Sequence, residues 1–286
     1  MRRGLFVGLV TLDLIYLCDA VVQPNQKVVA TDATVAAGGP ATNAAVTFCH
    51  LGSEAQLLGV LGKHSSTALI KADLEAFGVK LRDLDREYTA NPSISSIIVT
   101  ASTGERAIVS LNASKSQAQV GQIPDNILNQ IDVVLIDGHQ MVVGGAIAQQ
   151  AKAAKIPVVM DGGSWKPGFE KVLPWVDYAI CSANFYPPNC QTPTDVFSYL
   201  IAAGIPQIAI TQGEKPILYY NQGNYGKIAL PPIPAVDTLG AGDIFHGAFC
   251  HYILEQEFIT ALTSAAKIAS FACQFFGTRS WMAQVT

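Results

Sequence analysis

The chain has 286 residues, of which 50% are hydrophobic, and its formal net charge at pH 7 is -4. This apolar content supplies a sizeable core and excludes a disordered chain. Lysine and arginine are scattered singly, so no basic stripe is present to bind a nucleic-acid backbone or an anionic lipid surface. We therefore expect neither nucleic acid nor a membrane as a partner.

The N-terminal stretch "GLFVGLVTLDLIYLCD", residues 4–19, follows two arginines and is similar to the apolar part of an export signal. Asp13 interrupts the apolar run, and no small-residue cleavage site follows it. A buried first strand over residues 5–10 explains the same letters. The six cysteines show no metal-ligand spacing and indicate core positions in a reducing compartment, so we predict a cytoplasmic protein.

Further along the chain, short apolar runs alternate with longer helical patterns, from "AQLLGVLG" and "STALIKADLEAFGV" to "QIAIT" and two helical segments over residues 241–276. Runs such as "VVLID" and "PVVMD" do not alternate with polar residues, which is typical of strands buried on both faces. The pattern predicts a doubly wound α/β fold, with a mostly parallel sheet and helices on both of its faces.

Two strand-like regions, about residues 14–36 and 91–112, lack intervening helices, and "STGE" within the second is typical of a hairpin turn. We expect them to form a small antiparallel sheet that projects from the main sheet. Because the chain shows no repeat and no long linker, we predict one domain over residues 1–286 with these two excursions.

Three acids follow apolar strand patterns: Asp13, Asp137 and Asp161. Ligands of open α/β sheets bind outside the carboxyl ends of the strands. Each acid taken alone could equally form a turn or cap a helix. Together they favour a polar site at that edge.

The segment "VDTLGAGDIFHGAF", residues 236–249, places a turn of small residues directly before an apolar helix. The unpaired N–H groups at such a helix start bind anions, especially phosphates. Asp243 falls in the first turn of this helix, where an acid is favourable for the helix dipole alone. Beside a phosphate site, the same carboxylate is also suited to accept a hydroxyl proton.

A second segment, "GGPATNAAVTFCHLG" at residues 38–52, begins with two glycines that allow close backbone approach to a ligand. Asn43 lies near the start of the following helix, where its side chain could cap the helix or bind hydroxyl groups. Two adjacent glycines are weak evidence when taken alone.

Together the two segments resemble the two signatures of the ribokinase-like (PfkB) carbohydrate kinase family. The first matches in its spacing from Gly38 through Asn43 and Gly52 to Gly62, and the second, D-T-x-G-A-G-D, at every fixed position from 237 to 243. The resemblance covers essentially the whole chain and implies the family's fold, with the two excursions as its substrate lid. With "GERAIVSLN", the chain resembles the ketohexokinase side of the family more than ribokinase.

The resemblance implies an ATP-dependent kinase that phosphorylates a hydroxyl of a small sugar, with Mg²⁺ and possible activation by a monovalent cation. Asp243 corresponds to the catalytic base that accepts the sugar hydroxyl proton. The other implied positions are the anion hole at Gly240, Ala241 and Gly242, the substrate positions Asp13, Gly39, Asn43, Asp137 and Arg106, and the nucleotide positions Asn184, Thr211, Gly213 and Thr238.

One departure concerns the family's N-x-x-E motif, which reads Asn184-Phe185-Tyr186-Pro187 here and lacks the glutamate linked to magnesium. We assign no protein ligand to the metal. A catalytically weak binding or regulatory protein therefore stays open as an alternative. A nucleoside kinase of the same fold also stays open, since the sequence neither shows nor excludes an apolar base pocket from the lid. A dinucleotide oxidoreductase is disfavoured because no G-x-G-x-x-G follows the first strand.

The exposed edge of the lid makes a homodimer plausible.

Overall fold

The computed structural model describes residues 1–20 and 22–284, which contain thirteen strands and seven α-helices. The strands are β1 Arg3–Val7, β2 Thr11–Cys18, β3 Asp32–Gly38, β4 Glu54–Gly59, β5 Lys80–Asp83, β6 Ser93–Thr100, β7 Arg106–Leu111, β8 Val133–Ile136, β9 Val158–Gly162, β10 Tyr178–Ser182, β11 Gln207–Gln212, β12 Lys215–Asn221 and β13 Asn224–Ile228. The helices are α1 Pro40–His50, α2 Thr67–Ala76, α3 Met141–Ala153, α4 Phe169–Val172, α5 Pro193–Ala202, α6 Ala241–Tyr252 and α7 Phe258–Ala272.

The main sheet has nine strands in the order β13-β12-β11-β10-β9-β8-β1-β4-β5. The seven neighbouring strands from β11 to β5 in this spatial order are all parallel to one another. Strands β12 and β13 form an antiparallel hairpin that extends the sheet at the β11 edge. The first strand ends at Val7, three residues before the expected end, and the chain then turns toward the smaller sheet. The predicted mostly parallel sheet is confirmed.

Side chains that alternate along the central strands fill two separate cores. Phe6 and Leu135 face α1, α2, α6 and α7, whereas Leu5 and Ile136 face α3, α4 and α5. Both faces of the sheet are thus covered by helices, which explains the continuous apolar runs in the sequence.

The second sheet is the lid, with the strand order β3-β2-β6-β7. Its two outer pairs are antiparallel as expected, but the central pair, β2 and β6, is parallel. Both central strands follow strands of the parallel main sheet, β1 and β5, and leave it from the same edge. They therefore run in the same direction, and the expected small lid sheet is antiparallel in its two outer pairs and parallel in its central pair.

The two faces of the lid differ in what covers them. Its inner face carries Ile15, Ile97 and Val99, which are buried against residues of the main body. On its outer face, Val35 and Val109 are 51% and 79% exposed. The lid thus has an apolar outer surface without a partner within the described residues.

No helix in the described part of the chain combines the length and the apolar character needed to cross a membrane.

Candidate active site

The start of α1 brings the backbone close to the loop after β1. Gly39 is the N-cap residue of this helix, with φ of 102°, and a Cβ built on it would lie 2.5 Å from the carbonyl oxygen of Leu9. Any other residue would be both strained and in collision here. Pro40 follows at the first helical position, where its missing N–H costs nothing. The motif thus fixes where α1 begins.

Asn43 and Asp243 are 200 residues apart in the sequence and are joined directly. The Nδ2 group of Asn43 donates a hydrogen bond of 2.8 Å to Oδ2 of Asp243. Helices α1 and α6 pack side by side with small residues between them, and Gly247 lies against the backbone of Ala44. The two signature segments therefore form one site.

The turn before α6 presents the start of that helix to the site. Gly240 is its N-cap residue with φ of 71°, and Asp243 occupies the third helical position. The N–H of Ala241 donates to the carbonyl oxygen of Thr238, so this N–H closes the turn. A Cβ built on Gly242 would meet no heavy atom within 4 Å, so the helix start opens onto free space. A phosphate group fits this arrangement of exposed N–H groups and space.

The carboxylate of Asp243 lies in an unusual electrostatic environment. Burial is the main cause that raises its pKa to about 7, and the nearby Asp161 carboxylate raises it further. The hydrogen bond from Asn43 opposes this shift. A base with a pKa near neutrality is matched to proton transfer at physiological pH.

Near Asp243 lies a buried pair, Asp161 on β9 and His246 on α6, of which the sequence analysis named only the acid. Nδ1 of His246 lies 3.6 Å from Oδ2 of Asp161. The two ring nitrogens also face carbonyl oxygens, Nδ1 that of Gly242 at 2.7 Å and Nε2 that of Ile180 at 3.2 Å. The histidine ring thus lies between the first turn of α6 and the neighbouring strand β10.

Asp13 reaches the site from the lid. It lies within β2, at the third residue of this lid strand, and not at the end of the first strand as the sequence suggested. Its carboxylate sits where a side chain of residue 38 would be, because a Cβ on Gly38 would lie 1.9 Å from Oδ2. Burial raises its pKa to about 6, against the effects of Ser95 and Arg279. Its Oδ1 atom is buried without a hydrogen-bond partner among the described residues.

Asp137 is buried at the end of β8 and is fully engaged with the backbone. Its Oδ2 accepts hydrogen bonds from the N–H groups of Leu9 and Ala41, and its Oδ1 accepts one from His139. These three bonds hold the loop after β1 and the start of α1 in register. The structure thus shows backbone contacts for both oxygens of this acid, and its role at the substrate stays a prediction.

Arg106 lies in the lid, at the start of β7, and contacts the turn before α6. Its Nη1 donates to Oγ1 of Thr238 at 2.8 Å, and Thr238 donates in turn to the carbonyl oxygen of Gly104. Thr238 thus connects the turn before α6 to the lid hairpin. Within that turn, Asp237 accepts a hydrogen bond from the N–H of Leu239.

Three of the four expected nucleotide positions lie at the ends of neighbouring strands, whereas the fourth, Thr238, lies in the turn before α6. Ser182 of β10 pairs with Thr211 of β11, Asn184 follows in an exposed turn, and Gly213 occupies the turn after β11 with open space around it. Thr211 donates to the carbonyl oxygen of Cys181 at 3.3 Å. No contact joins these residues directly to Asn43 or Asp243 in the described chain.

The segment that replaces N-x-x-E has a packing role. Phe185 is buried, and its ring lies 5.6 Å from that of Trp165 and 5.7 Å from that of Phe169. Within residues 1–20 and 22–284, no group of three His, Cys, Asp or Glu side chains is placed to hold a metal ion. All six cysteines are free thiols.

The sequence analysis missed one further residue of the site, Arg279. It follows α7 and donates from Nη1 to Oδ1 of Asn43 at 2.9 Å, and from Nη2 to the carbonyl oxygen of Ala37 at 2.6 Å. The only signal was a single cation within the apolar stretch "FFGTRSW", residues 275–281. A position so far along the chain from both signatures gives no spacing that would connect it to them.

A lidded α/β fold with an open helix start beside a buried carboxylate is the arrangement expected of a small-molecule kinase. The chain belongs to the family described as pfkB family carbohydrate kinase, whose model matches residues 1–284. It is therefore a carbohydrate kinase, as the two signatures predicted.

Proteins named as ribokinases and a deoxyribokinase are among the relatives and solved structures that match this chain. Ribokinase of Bacillus subtilis (strain 168) is 25% identical over 99% of this chain and 96% of its own length. Deoxyribokinase of Salmonella typhi is 24% identical over 96% of this chain and 93% of its own length. The crystal structure of a putative ribokinase from Agrobacterium tumefaciens superposes with a TM-score of 0.83 at 25% identity and covers 99% of this chain and 98% of that one. The expected closeness to ketohexokinases stays a prediction.

Proposed function

We propose that this protein transfers the γ-phosphate of Mg-ATP to a hydroxyl of a small sugar, with Asp243 as the base and the Gly240–Gly242 turn as the anion hole. The observation that carries the proposal is that one helix turn holds both groups. Asp243 and the open space at Gly242 are adjacent, and Asn43 ties Asp243 to the other signature. Two relatives that are named ribokinase and deoxyribokinase support a sugar as the acceptor.

The chemistry follows from the placement of these groups. Asp243 accepts the proton of the acceptor hydroxyl, while that oxygen forms a bond to the γ-phosphorus and the bond from this phosphorus to the bridging oxygen of ADP breaks. The N–H groups at the start of α6 bind the charged oxygens of the transferred group. Since positioning and charge stabilisation dominate phosphoryl transfer, a base with a pKa of about 7 suffices.

The acceptor sugar would lie between the lid and the start of α1. Asp13 Oδ1, which is buried and without a partner among the described residues, is placed to accept a hydrogen bond from a sugar hydroxyl. Gly39 lets the start of α1 lie against the backbone of Leu9, and Asn43 has a second side-chain N–H with no partner among the described residues. In this proposal Asp137 supports the loops and does not touch the sugar, because three backbone N–H groups already occupy it.

The nucleotide would lie along the ends of β10 and β11, near Asn184, Thr211 and Gly213. Mg²⁺ would arrive with ATP and be held by phosphate oxygens and water, because the described residues provide no carboxylate cluster for it. When bound, the metal neutralises phosphate charge. Activation by a monovalent cation stays a prediction.

Three further assignments belong to the same proposal. The chain acts as one domain over residues 1–286 and is located in the cytoplasm. It forms a homodimer through the lid, whose apolar outer face, including Val35 and Val109, lacks a partner among the described residues.

Turnover of ATP across a panel of sugars, polyols and nucleosides tests the function. We expect sugar-dependent release of ADP together with a phosphorylated sugar, identified by mass spectrometry. If only nucleosides stimulated turnover, the phosphate acceptor would be a nucleoside and not a sugar. Binding of both ligands without any turnover would contradict the kinase assignment in favour of a regulatory role.

Removal of the Arg106 side chain is expected to weaken closure of the lid over the site. Arg106→Ala deletes the hydrogen bond to Thr238, so water reaches the transferred phosphate more easily. We expect about 3–10-fold more ATP hydrolysis per sugar phosphorylated, from a contact of about 1 kcal/mol. The measurement compares ADP release with sugar phosphate formed.

Arg82→Ala is the matched control, because Arg82 is also exposed and donates to a glutamine, Gln56, on the far edge of the main sheet. We expect this variant to keep the wild-type ratio. Thr238→Val should give the same uncoupling as Arg106→Ala, and the double variant should add little. Full additivity of the two changes would contradict the proposed contact.

A further inference from the structure

The side chain of Arg279 lies between four parts of the fold. It is 13% exposed, and its guanidinium carbon lies 5.4 Å from the centroid of the Phe77 ring. Nη2 donates to the carbonyl oxygen of Ala37 at the end of lid strand β3, and it lies 3.5 Å from Oδ2 of Asp73 on α2. Nη1 donates to Oδ1 of Asn43 on α1. One guanidinium group thus joins the lid, α1, α2 and the segment after α7.

The chemistry of this group fixes the orientation of the Asn43 amide. A guanidinium donates hydrogen bonds and cannot accept them, so the amide atom that faces Arg279 must be the oxygen. At its other end, the amide faces the Asp243 carboxylate, which accepts when ionised, so that atom must be the nitrogen. The two neighbours, one on each side, therefore allow only one of the two amide orientations.

We propose that Arg279 is a positioning residue of the phosphotransfer site, which orients the Asn43 amide so that it offers only N–H groups to Asp243 and to the acceptor sugar. The proposal rests on the proposed function. The Asn43 oxygen is occupied by Arg279, and one N–H is occupied by Asp243. The remaining N–H can bind only an acceptor, which is the oxygen of a sugar hydroxyl.

This arrangement determines the direction of the hydroxyl proton. A hydroxyl that accepts from Asn43 through its oxygen must point its own hydrogen elsewhere, and the carboxylates of Asp243 and Asp13 are the acceptors nearby. The attacking oxygen is thus oriented with its proton toward the base before transfer. A protonated amine in place of this hydroxyl has no lone pair for the Asn43 N–H and should be rejected.

Arg279 also supplies positive charge to a group of acids. Its guanidinium interacts electrostatically with three carboxylates, those of Asp73 on α2, Asp13 on β2 and Asp243 on α6. Asp161 on β9 and His246 on α6 also interact with Asp243. Removal of the cation would favour the protonated forms of Asp13 and Asp243.

Two substitutions separate orientation from charge. Arg279→Lys keeps the charge but loses the two-armed fork, and Arg279→Met keeps apolar contact with Phe77 and loses both. We expect each to lower kcat/KM for the sugar by about 10–100-fold, as for a small misplacement of reacting groups, with little change in the KM for ATP. Only Arg279→Met should move the acid limb of the pH profile to higher pH. Arg82→Lys is the control and should behave as wild type.

A cycle with Asn43→Ala tests whether Arg279 acts through Asn43. In that background, Arg279→Lys should change kcat/KM by less than about 2-fold, since the amide that it orients is gone. An equal loss for Arg279→Lys in both backgrounds would overturn the proposal. So would a loss in Arg279→Met that is matched by lower thermal stability and leaves the pH profile unchanged, because it would show a structural role alone.

A readout without turnover keeps the proposal testable even if no sugar is phosphorylated. The side-chain amide signals of Asn43 in a ¹H–¹⁵N spectrum, identified by their loss in Asn43→Ala, should be sharp and protected from hydrogen exchange in the wild type. We expect them to broaden and exchange faster in Arg279→Lys, with other amide side chains unchanged. Identical Asn43 signals in both proteins would overturn the proposal, whereas a wild type without turnover would contradict only the proposed function.

Discussion

Asp243→Asn is expected to lower kcat by about 10²–10⁴-fold, the range that a general base contributes. The amide has nearly the same shape and can still accept the hydrogen bond from Asn43, but it cannot take the proton of the acceptor hydroxyl. The KM for ATP should change little, because the anion-binding N–H groups belong to the backbone. Steady-state kinetics with the identified sugar provide the measurement.

Asp195 provides a matched control for the effect of an acid at a helix start. It occupies the third position of α5, as Asp243 does in α6, and its carboxylate accepts from the N–H of Thr192. Asp195→Asn should lose some stability through its capping box and keep the wild-type rate. Similar rates for both variants would leave Asp243 as a helix-start acid and remove it from the chemistry.

Asp243→Asn is also expected to stabilise the folded protein near neutral pH. Burial raises the pKa of Asp243 from its ordinary value of 3.8 to about 7 in the folded protein, so folding favours the protonated form. The wild type therefore loses stability as pH rises from about 4 to about 7, and Asp243→Asn lacks this loss. We expect its urea midpoint to exceed that of the wild type at pH 8 and to approach it at pH 4. A lower midpoint at pH 8 would contradict an unfavourable burial of charge at this position.

Local patterns in the sequence were sufficient for the parts of the fold that depend on local interactions. Neighbouring residues alone predict the apolar strands, the glycine turn at 240–242 and the helix after it. Asp13 was placed in the site, but on the wrong element, because the apolar letters of β1 and β2 run together. Only the pairing of β2 with β3 and β6 separates the lid strand from the first strand.

Contacts between distant segments were not predictable in the same way. Arg279 and Asp73 lie 206 positions apart, and neither belongs to a spaced motif. Asp137 was expected at the ligand, since an acid at a strand end suits both a ligand site and backbone support. Which of the two applies depends on the three N–H groups that the fold brings to it. The sequence locates the chemical groups, and the tertiary contacts decide which of them are free.

Substitution of Asp13 is expected to act on the sugar and not on the nucleotide. Asp13→Asn preserves the shape that fits against Gly38 and removes the charge that strengthens a hydrogen bond from a sugar hydroxyl. A hydrogen bond to a charged group contributes about 1.5–3 kcal/mol, so we expect the sugar KM to rise by roughly 10–100-fold. The KM for ATP should stay within about 2-fold, because that substrate lies on the other side of the transferred phosphate.

The pH dependence gives this prediction a second, independent measurement. With a pKa of about 6, Asp13 of the wild type becomes protonated as pH falls below 6, and its Oδ1 then accepts a hydrogen bond less strongly. The sugar KM of the wild type should therefore rise below pH 6, whereas that of Asp13→Asn should be flat in this range. Asp19→Asn, an exposed acid just after the same strand, is the control and should follow the wild type. Equal changes in both KM values, or the same pH dependence in Asp13→Asn as in wild type, would show that Asp13 does not contact the sugar. Its buried carboxylate would then only lower the stability of the lid.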